Sequence, residues 1–378
     1  MLYRLFVYLH DSGIGPLRVF RYTSFRIMVA LLTALIISFL LYPWLIERLR
    51  KLAIGQVIRE EMDASHQAKK HTPTMGGSLI LFAIVVPTIM WADLTNVYVW
   101  AALLVTFGYA IIGFIDDVKK VRERNSRGLP GRYKLLFQAL IGLAAMGLIF
   151  WKTDYDTHLY FPFVSPSRFF LDLPMWLYII FGCVVLMGTS NSVNLTDGLD
   201  GLAIGPSIVA AGTFAILAYS AATVLGIDVT VDGETRTVFF SLAEYLKLPQ
   251  VEGVQELAIF AGSMVGAGVG FLWFNTFPAQ IFMGDVGSLS IGGAIGVMAV
   301  ATKNEFLLAI ICGIFVTETV SVIIQRYYFK FTGKRVFLMA PIHHHFEKKN
   351  WSENQIVVRF WIIAIMLSLF GLASLKLR

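Results

Sequence analysis

Charged residues are scarce in this chain: they make up 15% of its 378 residues, against roughly a quarter in a soluble domain. With 57% hydrophobic residues, 30 Phe and a mean hydropathy of +0.69, that scarcity excludes a soluble globular protein and leaves a polytopic membrane protein. Cysteine is nearly absent. Cys183 and Cys312 each lie in an apolar run without a His or Cys nearby, which excludes a zinc site or a redox pair and makes them packing residues. Residues 1–26 carry scattered Arg but no short apolar core followed by a small-residue cleavage site, so no cleaved signal peptide is expected. No internal repeat is visible. Its absence, and acids gathered at one interface rather than at the midplane, argue against a secondary transporter. The net charge of +6 would suggest nucleic acid in a soluble protein, but here it orients loops, and nucleic acid is not an expected partner.

What is abundant is apolar length. Segments long enough to span, or nearly so, fall at about 27–46, 75–91, 97–115, 135–151, 175–190, 201–223, 257–276, 288–302, 306–325 and 356–374. The expected fold is therefore all-α, with ten transmembrane helices in one integral-membrane domain, 1–378. Connections 47–74, 116–134 and 326–355 hold six, seven and six Lys or Arg, and 191–200 and 277–287 hold none; the alternate connections hold five in all. Nineteen against five places the first set in the cytoplasm and both termini outside. In the outer connection 224–256, Thr230 to Val238 alternates around an Asp-Gly pair, the pattern of a small β-hairpin.

Acids stand where they are costly. Asp116 and Asp117 end a long apolar segment, where the helix dipole already presents negative charge. Lys119 and Lys120 would compensate locally; a divalent metal holding a phosphorylated substrate would do so more sharply, because Mg²⁺ prefers one or two carboxylates plus phosphate oxygens. The two base-free cytoplasmic connections add Asp197, Asp200 and Asp285 to the same face. Each could cap a helix. Yet Asn191, Asn194, Thr196, Asp197 and Asp200 within ten residues, between glycines, look more like a site for a polar head group. Lys69 and Lys70 before Thr72-Pro73-Thr74-Met75-Gly76-Gly77 are an orientation signal, an attraction for anionic lipid, or a phosphate contact at a helix start. His343, His344 and His345, read as an extended segment after Pro341, alternate sides and so do not chelate one ion. Glu318 and Arg359, both inside apolar segments, are expected to pair.

Five stretches in order, Thr72 to Gly77, Gly113 to Asp117, Asn194 to Asp200, Phe282 to Asp285 and Pro341 to His345, resemble the polyprenyl-phosphate N-acetylhexosamine-1-phosphate transferases, and within them the phospho-N-acetylmuramoyl-pentapeptide-transferase family. The resemblance covers essentially the whole chain. It implies transfer from UDP-N-acetylmuramoyl-pentapeptide to undecaprenyl phosphate with release of UMP, Mg²⁺ as cofactor, a multi-pass enzyme of the bacterial inner membrane with its site facing the cytoplasm, and a homodimer. It further implies that Asp285 is the principal Mg²⁺ ligand and that Asp116 and Asp117 act on the lipid phosphate and the metal, assisted by Asn275. Asn194, Asp197 and Asp200 would recognise the uridine side, with Phe282 stacking on the base and Lys69 on the nucleotide. Thr74 and Asn191 would also bind substrate, Arg132 and Lys134 would lie near the phosphates, and His343 to His345 would line the cytoplasmic rim. A sister enzyme using UDP-N-acetylglucosamine is the alternative, disfavoured by the histidine segment.

Overall fold

A computed structural model describes residues 1–52, 72–123, 128–231 and 234–378. Lys69, Lys70 and His71, and the Asp-Gly pair at 232–233, lie outside the described residues. The chain folds into helices α1 Leu2–Asp11, α2 Thr23–Lys51, α3 Gly77–Trp91, α4 Val97–Glu123 and α5 Gly131–Lys152, followed after a short ladder by α6 Met175–Thr196 and α7 Ile204–Ala222. Then come the strands β3 Val224–Val231 and β4 Glu234–Ser241, α8 Leu242–Leu246, α9 Leu257–Asn275, α10 Gly284–Ala301, α11 Glu305–Ile311, α12 Gly313–Thr332, α13 Ile342–Glu347 and α14 Glu353–Ser374. The short ladder is β1 His158–Leu159 with β2 Leu171–Asp172, and β3 and β4 pair antiparallel from Val224 opposite Ser241 to Val231 opposite Glu234, the expected hairpin.

Among the described residues, eight helices are long and apolar enough to cross a membrane, nine if α11 and α12 count as one span bent by 86°. The tenth expected span is α3, whose 15 residues rise only about 22 Å, short of a 30 Å hydrocarbon core. Hydropathy windows measure apolar continuity, not axis direction or length against the bilayer, so the bend after Ile311 and the short α3 were outside their reach. Prolines before the first turn start α5 and α6 (Pro130 and Pro174), and Ser352 with Gln355 forms a capping box on α14.

The centre of the bundle is α10, 89% buried along its span against 28% for the peripheral α2 and α5. It packs against α4 and α6, while α9 packs against α2 and α7. Close approach is set by missing side chains: a Cβ at Gly77 would lie 2.2 Å from the Gly287 nitrogen, and one at Gly113 would lie 2.2 Å from the Asp285 carbonyl oxygen. Gly77→Ala is therefore expected to force α3 and α10 apart and destabilise the fold by about 1–3 kcal/mol; an unchanged Tm in detergent would contradict this packing.

Backbone bonds then lock the incoming loops. Phe282 N–H donates to the Pro73 carbonyl at 2.8 Å, Gly76 N–H to Phe282 at 2.8 Å and Gly77 N–H to Met283 at 2.9 Å. The C-terminal ends of α4, α6 and α9 thus meet the N-terminal ends of α3, α5 and α10 at one face, the face onto which the base-rich and base-free connections open. The opposite face is closed by a buried pair between Arg26 and Glu256 at 2.6 Å.

Candidate active site

Three carboxylates, those of Asp116, Asp117 and Asp285, bring ligand oxygens within 4.8 Å of one another, the only such group of three acids or metal-ligating side chains among the described residues. Asp116 and Asp117 ride the last turns of α4, and Asp285 sits in the first turn of α10, where the positive end of the dipole favours it. Two ammonium groups bind the set together. Lys120 Nζ lies 2.6 Å from Asp116 and 3.1 Å from Asp285; Lys134 Nζ, from α5, lies 3.0 Å from Asp116 and 2.7 Å from Asp285. The Leu129 N–H also donates to Asp116 at 2.6 Å, and Asp117 accepts from the Val286 N–H at 3.1 Å, so that Asp117 caps α10 from another helix. Side-chain exposure is 0% for Asp116 and 13% for Asp285, which makes Asp285 the more open to a ligand.

Three carboxylates face two ammonium groups, so the site is rich in anionic oxygen, as a cation site requires. Carboxylate oxygens from three acids within 4.8 Å of one another are the hard, anionic donor set that a divalent cation such as Mg²⁺ takes. Asp285 with Asp117 is the pair that would hold it.

Around this cluster the sequence-derived candidates separate. Asn194, on α6, donates to Asp285 at 3.1 Å and to Ser288 at 2.8 Å. Asn191 donates to Gln138 at 2.9 Å and to the Met187 carbonyl at 2.7 Å, which turns it inward. Thr74 is buried beside Gly284, and Phe282 is half-buried two residues before it. Arg132 is exposed, with its guanidinium 5.0 Å from the centroid of the Tyr133 ring. Lys69 falls outside the described residues.

Two candidates prove to hold loops. Asn275 accepts from the Gly201 N–H at 3.0 Å and donates to the Ile281 carbonyl at 2.9 Å, so both ends of its amide serve the protein backbone. Asp200 accepts from the Ala279 N–H at 2.9 Å. Together they stitch the turn after α6 to the loop that carries Phe282. Neither Asp197 nor Asp200 caps α7, which begins at Ile204.

The histidines also differ from expectation. They form the short helix α13 rather than an extended segment, because Pro341 supplies its start, and His343 and His344 are buried instead of lining a rim. His343 Nδ1 lies 3.1 Å from Glu318, and His345 Nδ1 accepts from the Leu338 N–H at 3.1 Å. Glu318 thus pairs with His343 and not with Arg359, whose guanidinium lies 4.2 Å from the centroid of the Trp351 ring. Lys120 and Gln138 were missed among the candidates. Lys120 stands one helical turn after Asp116, a spacing that marks it; Gln138 sits in an apolar run, where its polarity is the only signal.

Burial first, then the charges of Asp285, Asp117 and Asp200, push the Asp197 carboxyl up to about 8, with Lys120 opposing. An acid whose pKa is raised on folding supports the fold fully below its unfolded value of 3.8, and that support is lost as pH rises to about 8. Asp197→Asn, neutral throughout, is expected to raise the Tm at about pH 9 and to leave it nearly unchanged at about pH 4. Scanning fluorimetry in detergent reads this directly, and an equal Tm for both proteins at about pH 9 would refute the assignment.

The sequence matches glycosyl transferase family 4 over residues 99–303, which includes all three carboxylates. It is 52% identical to the phospho-N-acetylmuramoyl-pentapeptide-transferase of Sorangium cellulosum (strain So ce56), 50% to that of Syntrophus aciditrophicus (strain SB) and 48% to that of Maridesulfovibrio salexigens, with 100% of each chain covered. Identity at that level over the full length shows that the chain belongs to the phospho-N-acetylmuramoyl-pentapeptide-transferase family, within glycosyl transferase family 4.

Proposed function

We propose that the chain transfers phospho-N-acetylmuramoyl-pentapeptide from UDP to undecaprenyl phosphate at the cytoplasmic face of a bacterial inner membrane, releasing UMP and forming a lipid-linked peptidoglycan precursor. Full-length identity of about half with enzymes of that name supports it. The observation that carries the chemistry is the meeting of three carboxylates and two ammonium groups from α4, α5 and α10 at one end of the bundle. A water-soluble nucleotide and a membrane-anchored phosphate can meet only at such an interface.

The reaction forms a bond from a lipid phosphate oxygen to the sugar-bearing phosphorus and breaks the bond from that phosphorus to UMP. One phosphoanhydride replaces another, so little driving force is available, and catalysis rests on positioning and on neutralising charge. Asp285, with Asp117, would hold Mg²⁺, which when bound supplies Lewis-acid neutralisation of the diphosphate. Asp116 anchors Lys120 and Lys134, whose charges can turn to phosphate oxygens. Phe282 would stack on uracil, beside Asp197 and Asn194. A single in-line displacement is the favoured course, since the lipid phosphate is already ionised near neutral pH and needs placement more than activation.

The test is an assay of purified protein in detergent with undecaprenyl phosphate, following UMP and lipid product. UDP-N-acetylmuramoyl-pentapeptide is expected to give both in equal amounts and UDP-N-acetylglucosamine neither. Faster turnover of UDP-N-acetylglucosamine would transfer the chain's function to the sister activity.

A further inference from the structure

We propose that Gln138 is a positioning residue for the transfer site, a buried residue whose side chain fastens α5 to α6 and whose backbone carbonyl fastens it to α4, and which thereby holds Lys134 against Asp116 and Asp285. The inference rests on the transferase reading above.

Gln138 is fully buried in α5, one turn after Lys134 and on the same side of the helix. Its amide oxygen accepts from Asn191 of α6 at 2.9 Å, and its amide nitrogen donates to Ser190 at 3.0 Å. The Ser190 hydroxyl donates onward to the Leu289 carbonyl of α10 at 2.8 Å. The backbone carbonyl of Gln138 accepts from the Tyr109 hydroxyl of α4 at 3.0 Å, a bond that does not depend on the side chain. Every attachment lies one or two turns beneath a member of the cluster: Tyr109 beneath Asp116, Asn191 beneath Asn194, Leu289 beneath Asp285, and Gln138 itself beneath Lys134.

Donors and acceptors run in one direction, from Asn191 through Gln138 and Ser190 to Leu289, so the glutamine amide has one orientation. In an apolar interior an amide with lost partners is costly, which gives the network a single arrangement rather than a range. Turning or sliding α5 would break its bonds to Asn191, Ser190 and Tyr109 at once and carry Lys134 away from its 3.0 Å and 2.7 Å contacts. Misplacement of a charged group by about 1 Å costs up to about 100-fold in rate.

The test compares the parent with Gln138→Leu, which keeps the bulk and removes the amide. The expected result is a kcat about 10- to 100-fold lower, with the KM for UDP-N-acetylmuramoyl-pentapeptide within about twofold. In a Lys134→Gln background, Gln138→Leu is expected to cost nothing further, because it acts through Lys134. A parent-like kcat, or losses that multiply in the double variant, would overturn the proposal. If Gln138→Leu does not fold, Tyr109→Phe removes the backbone attachment to α4 and Ser190→Ala removes the bonds to Gln138 and Leu289; a fall of about threefold or more in kcat at unchanged Tm supports the proposal, and parent-like kcat in both overturns it. An inactive parent would instead strike the transferase reading itself.

Discussion

Asp285→Asn is expected to lower turnover on the order of 10³-fold, about 4 kcal/mol of transition-state stabilisation, while the protein still folds. The substitution keeps the shape of the side chain and removes the most open of the three negative charges. Lys120 and Lys134 retain Asp116, at 2.6 Å and 3.0 Å, so the cluster is not left with unpaired buried cations. Asp116→Asn is expected to lose activity as well but to keep its affinity for the uridine nucleotide, since the groups assigned to uracil, Phe282 and Asp197, lie on other loops. Steady-state rates together with a calorimetric nucleotide titration check both; an Asp285→Asn protein within tenfold of the parent would remove that carboxylate from the chemistry.

Lys303→Met is expected to produce the largest loss of stability, about 3 kcal/mol. Lys303 closes the far end of α10 in a left-handed backbone conformation, φ 58°. Its ammonium lies 2.8 Å from the Asp156 carboxylate and 3.8 Å and 4.2 Å from the ring centroids of Tyr155 and Tyr178. Tyr178 in turn donates to Glu305. Methionine would leave this acid-rich pocket without its cation, although Asp156 is 40% exposed and can recover some hydration. The loss is read as a drop in Tm with kcat per folded molecule nearly unchanged, because Asp285 lies at the opposite end of α10. A Tm equal to the parent's would show that the cage contributes nothing.

The carboxylate cluster was legible because two features coincided: acids at costly positions and a charge asymmetry that put them on one face. Asp116, Asp117 and Asp285 meet as those features required. The hairpin was legible from alternation around Asp-Gly. What the chain hid was pairing across long separations. Glu318 was expected to pair with Arg359, and only packing shows its partner to be His343, 25 residues away. Asn275 and Asp200 carry the same polarity whether they face a ligand or a backbone amide, so composition could not reveal that they stitch two loops. The histidines changed class because a short helix after Pro341 obeys the local start signal, whereas the reading as an extended segment weighed only their adjacency. Gln138 was silent because a lone glutamine in an apolar run carries no periodic pattern.

In the proposed transfer Asp285 and Asp117 would hold the divalent metal, which would supply charge neutralisation to the diphosphate. The most direct test of that arrangement is electron–nuclear double resonance on purified protein with Mn²⁺ in place of Mg²⁺ and UDP-N-acetylmuramoyl-pentapeptide bound, reading the coupling of the metal to phosphorus. ³¹P coupling is expected in the parent and its disappearance in Asp285→Asn at the same nucleotide occupancy. Coupling of parent strength in Asp285→Asn, or none in an active parent, would contradict that arrangement.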